Sequence, residues 1–91
     1  MFHVLTITYE KPLDEVDQTR PAHLAWLNDE VAAGRLLLAG RQEDGSGGVL
    51  ITADISVEDA QSMIEHDPYT LAGVVSYQRV SFNGGIRAAG L

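Results

Sequence analysis

Apolar and β-branched residues run almost unbroken from Phe2 to Tyr9. Such a run predicts a strand covered on both faces, with His3, Leu5, Ile7 and Tyr9 sharing one side. Charged residues and Pro12 follow, so residues 10–17 read as a loop. From Arg20 the spacing changes. At about 100° per residue Arg20, His23, Leu24, Leu27 and Val31 fall on one helical face, flanked by Trp26. Pro21 suits the first turn of that helix, where a missing N–H costs nothing, and Gly34 supplies its C-terminal stop. Leu36-Leu37-Leu38-Ala39 then predicts a second strand, Asp44-Gly45-Ser46-Gly47-Gly48 a hairpin connection, and Val49 to Ala53 a third strand. Ser56 is a good N-cap for a second helix. Glu58 and Asp59 lie in its first turn, and Val57, Ala60 and Ile64 form its buried stripe. Pro68 forces that helix to finish near His66, and Asp67 is placed to cap a short turn from Pro68 to Ala72, closed by Gly73. Val74 to Phe82 is a last strand, and the glycine- and alanine-rich residues 83–91 are expected to be loosely held.

The order strand, helix, strand, strand, helix, strand predicts a single α+β domain over residues 1–91, a ferredoxin-like βαββαβ unit with a four-stranded antiparallel sheet. Two helices cover one face of such a sheet. The strands are apolar on both, so a second copy is the simplest cover for the other face, and a homodimer through the sheet face is expected.

Composition narrows the chemistry. A chain of 91 residues buries a modest share of its surface, which also favours association. With no cysteine, disulfides, thiolate nucleophiles and zinc ribbons are excluded. The net charge of −7, with six Lys or Arg residues scattered singly, would repel a phosphate backbone, so nucleic acid is not an expected partner. The first residues lack a basic signal region and no apolar run approaches membrane-spanning length, which predicts a cytoplasmic protein without membrane attachment. Three dispersed histidines share no short ligand spacing, and no metal is expected. The glycines at 45, 47 and 48 precede a strand rather than a helix N-terminus, so they read as a hairpin and not a phosphate loop. No serine lies in a Gly-x-Ser-x-Gly elbow.

Arg20-Pro21-x-His23-x-x-Trp26-Leu27, Gly34 with its leucine run, Gly40, Gly48 before a strand, and Asp67-Pro68-Tyr69 after an acidic helix together resemble the YCII (YciI-like) family over nearly the whole chain. Tyr69 stands where phenylalanine is common in that turn, and Arg41 where the Gly-Pro version of the second-strand motif has proline. The resemblance implies a dimeric α+β barrel. It also implies a His–Asp dyad beside a cleft, formed here by His23 and Asp67, and some relatives are implicated in dehydrochlorination of aromatic catabolites. In physical terms, a carboxylate accepting from Nδ1–H would fix the imidazole tautomer and leave Nε2 free to exchange a proton. Each residue also has a plainer reading, His23 as a satisfied core histidine and Asp67 as an N-cap. Arg20, one turn before His23, is a candidate anchor for an anionic substrate, with Trp26 and Tyr69 as further substrate contacts. Arg41 reads as a solvated surface residue and His66 as a cation at a helix C-terminus. Two functions fit. One is a cofactor-independent enzyme using His23 and Asp67 for elimination, isomerisation or hydrolysis of a small aromatic or anionic metabolite. The other is a non-catalytic ligand-binding or accessory module on the same scaffold.

Overall fold

In the computed structural model, which describes residues 1–91, strand β1 (Phe2–Tyr9) lies inside a four-stranded antiparallel sheet of order β2-β3-β1-β4. The other strands are β2 (Leu36–Arg41), β3 (Gly47–Thr52) and β4 (Val75–Phe82), and the helices are α1 (Leu13–Ala32), α2 (Val57–His66) and the short α3 (Pro68–Leu71). This is the βαββαβ order expected from the pattern, with α3 added before the last strand. Side-chain alternation sends Leu5 and Ile7 of β1 and Leu50 of β3 to one face, where they form a buried core with Leu36 and Met63. Trp26 and Leu27 of α1 and Ile64 of α2 pack against it. Register brings Ile7 opposite Tyr77 and Tyr9 opposite Val75. Position 47 admits only glycine: a Cβ there would lie 1.7 Å from the Ile7 carbonyl oxygen.

Helix α1 departs from expectation at its start. Residues 13–17 are helical rather than loop, with Asp14 and Glu15 in the first turn. The reason is tertiary. Val16 is completely buried against Tyr69 and Val74, a contact that no local pattern announces. Pro21 consequently sits in the helix interior and forfeits the bond to the Asp17 carbonyl. The buried face is also rotated from the one read off the sequence. Val16, His23 and Glu30, seven residues apart, point inward, whereas Leu24 and Val31 are 42% and 49% exposed.

Helix α2 starts as expected, Ser56 Oγ accepting from Asp59 N–H at 3.0 Å, although its buried residues are Ala60 and Met63, with Val57 and Ile64 half-buried. Residues 83–91 form no helix or strand, yet the tail is fastened at one point. The Arg87 guanidinium lies 5.0 Å over the Phe2 ring, and its Nε–H donates to the Gly84 carbonyl at 2.9 Å. On the sheet face away from the helices, Leu38, Val80 and Phe82 are 59%, 62% and 45% exposed.

Candidate functional site

The short helix α3 exists because Asp67 caps it. Asp67 Oδ1 accepts from the Tyr69 backbone N–H at 2.9 Å, and Pro68 occupies the first turn, where its missing N–H costs nothing. The same oxygen accepts from His23 Nδ1–H at 2.7 Å, reaching across 44 residues of chain. The second carboxylate oxygen accepts the Tyr77 hydroxyl proton, delivered from β4. Capping and pairing therefore coexist on one carboxylate. Asp67 is wholly buried, and removing a carboxylate from water costs several kcal/mol unless donors replace the water. Here three donors from three elements do so.

A carboxylate only accepts, so the proton shared with His23 resides on Nδ1, and in the neutral imidazole the lone pair is then on Nε2. The imidazole ring is clamped. Tyr69 stacks on it at 3.9 Å between centroids with 13° between planes, and Trp26 lies 5.9 Å away. Nε2 has no partner within the chain, and His23 lines a cleft of about 210 Å³. Ile7, Leu24, Leu27 and Leu50 give that cleft apolar walls, and its polar lining comes from Tyr9, Arg20, Arg41 and Tyr69 together with His23.

Of the residues singled out in the sequence, His23, Arg20 and Tyr69 come together at this cleft. Asp67 lies directly behind His23. Trp26 does not join them as a lining residue. Helical phase turns its indole toward a second depression, shared with Glu30, Arg35, Asp59 and His66, so its contact to the site is made through the His23 ring. Arg41 also differs from expectation. It lines the cleft, its Nε–H donating to the Tyr9 hydroxyl at 2.9 Å and its Nη2–H to Asp17 Oδ1 at 2.9 Å. These partners hold its guanidinium even more firmly protonated than usual. Arg20 has no such partner and stands free at the mouth. His66 donates from Nδ1 to the Ser62 carbonyl at 2.7 Å, and His3 is buried against Ser81 and Ile55, both remote from the cleft. No three His, Asp or Glu side chains converge closely enough to hold a metal ion.

Tyr77 and Tyr9 escaped the sequence reading. Their only sequence signal is strand parity, which puts both on the helix-facing side, and the register that makes it meaningful is non-local. Burial, then the adjacent Asp67 carboxylate, push the Tyr77 phenol far above its usual range. A phenol raised on folding contributes stability that is fully present below its unfolded value of about 10 and is lost as pH rises beyond it. Denaturation at a series of pH values above about 10 is therefore expected to show falling stability, with a contribution from this group approaching 1.4 kcal/mol per pH unit. Tyr77→Phe should flatten that fall; equal slopes in parent and variant would show that Tyr77 is not held protonated.

Among solved structures, 5-chloro-2-hydroxyhydroquinone dehydrochlorinase from Burkholderia phenoliruptrix AC1100, in complex with 2,5-dihydroxybenzoquinone, is similar with a TM-score of 0.77 and 23% identity. The match covers 93% of this chain and 96% of that one. A protein from Nitrosomonas europaea described as an antibiotic biosynthesis monooxygenase superposes with a TM-score of 0.64 and 17% identity, over 94% of this chain and 100% of its own. Identities this low speak to the fold alone, the βαββαβ arrangement with its four-stranded antiparallel sheet. A 24-residue sequence from Mycolicibacterium smegmatis, called a 12 kDa protein, is 75% identical over its whole length, equivalent to 26% of this chain. The family model of the YCII-related domain matches residues 1–82, and with nine-tenths of its length so matched the chain belongs to that family.

Proposed function

We propose that this protein is a cofactor-independent enzyme in which His23, oriented by Asp67, passes a proton to or from a small oxygen-bearing planar metabolite. One observation carries the reading: a buried carboxylate fixes Nδ1–H of a histidine that lines the cleft and whose Nε2 has no partner within the chain. In such a site the base is aimed before substrate arrives, and the imidazolium that forms is stabilised by the carboxylate behind it. Arg20 supplies an unpaired positive charge for an anionic substituent, and Tyr69 keeps the imidazole in plane. Proton abstraction followed by loss of a leaving group, or by reprotonation elsewhere, needs only these groups, so elimination and isomerisation fit best, with hydrolysis through an activated water as a further use. The structural likeness to a dehydrochlorinase supports the elimination reading as a starting point.

The test is turnover. The protein is incubated with 5-chloro-2-hydroxyhydroquinone and a panel of cyclic hydroxy-carbonyl compounds in D2O, following chloride release and deuterium incorporation. Release or exchange that requires His23 is expected. Equal behaviour of the parent and His23→Asn across the panel would sink the reading and leave a ligand-binding module.

We also propose that the working form is a cytoplasmic homodimer. Leu38, Val80 and Phe82 lie on the uncovered sheet face, and a second copy of that face would bury them in an interface of at least about 1,200 Å². Light scattering at micromolar concentration should give twice the chain mass, and Val80→Asp should return a monomer. A monomeric parent would overturn the assembly.

A further inference from the structure

The Tyr9, Arg41 and Asp17 chain at the cleft mouth does nothing for the His23–Asp67 pair, yet it is built with care. Asp17 of α1 holds one arm of Arg41 of β2 at 2.9 Å, and a second nitrogen of the same guanidinium donates to the Tyr9 hydroxyl of β1 at 2.9 Å. The guanidinium carbon also lies 5.4 Å from the Tyr9 ring centre. Tyr69 packs edge-on to Tyr9 at 6.1 Å, so the phenol ring is confined from a second side. With a lone pair of its oxygen engaged by Arg41, the Tyr9 hydroxyl has one proton to give. No acceptor within the chain takes it, and both Tyr9 and His23 line the same cleft. A donated hydrogen bond from a cation polarises the O–H and strengthens it as a donor. Asp17 anchors the same guanidinium through its other nitrogen and so fixes its position against the phenol.

We infer that Tyr9 is the oxyanion donor of this cleft and a catalytic residue, with Arg41 as its positioning residue. The ligand class that follows is a small planar molecule bearing an enolate or phenolate oxygen. In the forward step His23 Nε2 takes a proton from a carbon next to a carbonyl, and the C–H electron pair becomes a carbon–carbon π bond. The carbonyl π pair moves to oxygen, and that oxyanion accepts the Tyr9 O–H hydrogen bond without proton transfer. Such a donor acts where charge develops, in a setting with little water to screen it. This assignment rests on reading the cleft as a proton-transfer site, and equilibrium binding tests it separately from turnover.

The probe is para-nitrophenol, whose neutral and ionised forms differ in absorbance, titrated against the whole protein at pH values on either side of its own ionisation. The parent is expected to bind the phenolate more tightly than the phenol. Tyr9→Phe keeps the ring, and should keep phenol binding while reducing the phenolate preference at least about tenfold, the scale of one hydrogen bond to a charged group. Arg41→Gln should reduce the preference less, and Tyr9→Phe with Arg41→Gln together should be no worse than Tyr9→Phe alone, because Arg41 acts through the phenol. The assignment is overturned by absence of phenolate preference in the parent, by a preference that survives Tyr9→Phe and disappears in Arg20→Gln, or by an additive double variant, which would make Arg41 a direct anion receptor.

Discussion

His23→Asn is expected to fold, to pair as the parent does, and to lose at least about 100-fold in turnover on any substrate the parent converts. The amide of asparagine can donate to Asp67 Oδ1, so the buried carboxylate keeps a partner in place of the Nδ1–H bond of 2.7 Å. What disappears is the lone pair at Nε2 and with it the means of accepting a proton, and general acid–base assistance is typically worth 10² to 10⁴ in rate, or about 3 to 5 kcal/mol. The shorter side chain also leaves Tyr69 without the ring that now stacks on it at 3.9 Å. That loss should cost about 1 to 2 kcal/mol of stability, too little to unfold a domain of ordinary stability. Thermal denaturation alongside the kinetics separates the two effects. A variant whose activity falls only in proportion to its unfolded fraction would assign His23 to the core instead of to catalysis.

Asp67→Asn separates capping from pairing more sharply. Asparagine caps nearly as well as aspartate, so α3 and the Tyr69 N–H bond of 2.9 Å should persist. The charge behind the imidazole is gone, however, and an amide cannot stabilise the imidazolium formed during proton transfer. Turnover is expected to fall at least about 100-fold with little change in stability. Nitrogen-15 NMR of the His23 ring checks that the hydrogen bond survives the substitution, so that a fall in turnover reports the lost charge and not a lost contact. The asparagine oxygen that caps Tyr69 N–H is also the atom facing Nδ1, so the proton should stay on Nδ1 in parent and variant, while the amide NH2 meets the Tyr77 hydroxyl. Asp67→Ala is a different case. It strips the acceptor from His23, Tyr69 and Tyr77 at once, leaving buried donors unpaired. Its stability loss should therefore reach about 3 to 5 kcal/mol, well beyond the roughly 1 kcal/mol of a lost cap. If Asp67→Asn retains full turnover and the parental tautomer, the carboxylate is a cap and nothing more.

Local rules carried far in this chain. Ser56 and Asp67 were readable as caps because capping depends on a side chain and on a backbone N–H two or three residues away, and both bonds are present. The strand–helix alternation and the turn at residues 44–48 are short-range patterns too, and they suffice for the βαββαβ order. His23 and Asp67 could be named from their motifs, but their 2.7 Å contact spans 44 residues and is made by the docking of α1 on α3. Where the reading went astray, the deciding contact was distant in every case. Val16 pulled the start of α1 back to Leu13 because Tyr69 and Val74 offered it a dry site. Arg41 is exposed but tethered at the cleft, because Tyr9 and Asp17 of other elements accept its hydrogen bonds. Tyr77 reached Asp67 only because β4 pairs with β1 in the register that sets it opposite Ile7. Sequence alone therefore determined the elements, their order and their caps, and it singled out His23 and Asp67. The cleft, the places of Tyr9 and Tyr77 and the third hydrogen bond on Asp67 were decided by tertiary packing, since strand register and helix rotation are set by the total burial of the molecule and leave no periodic mark at the individual position.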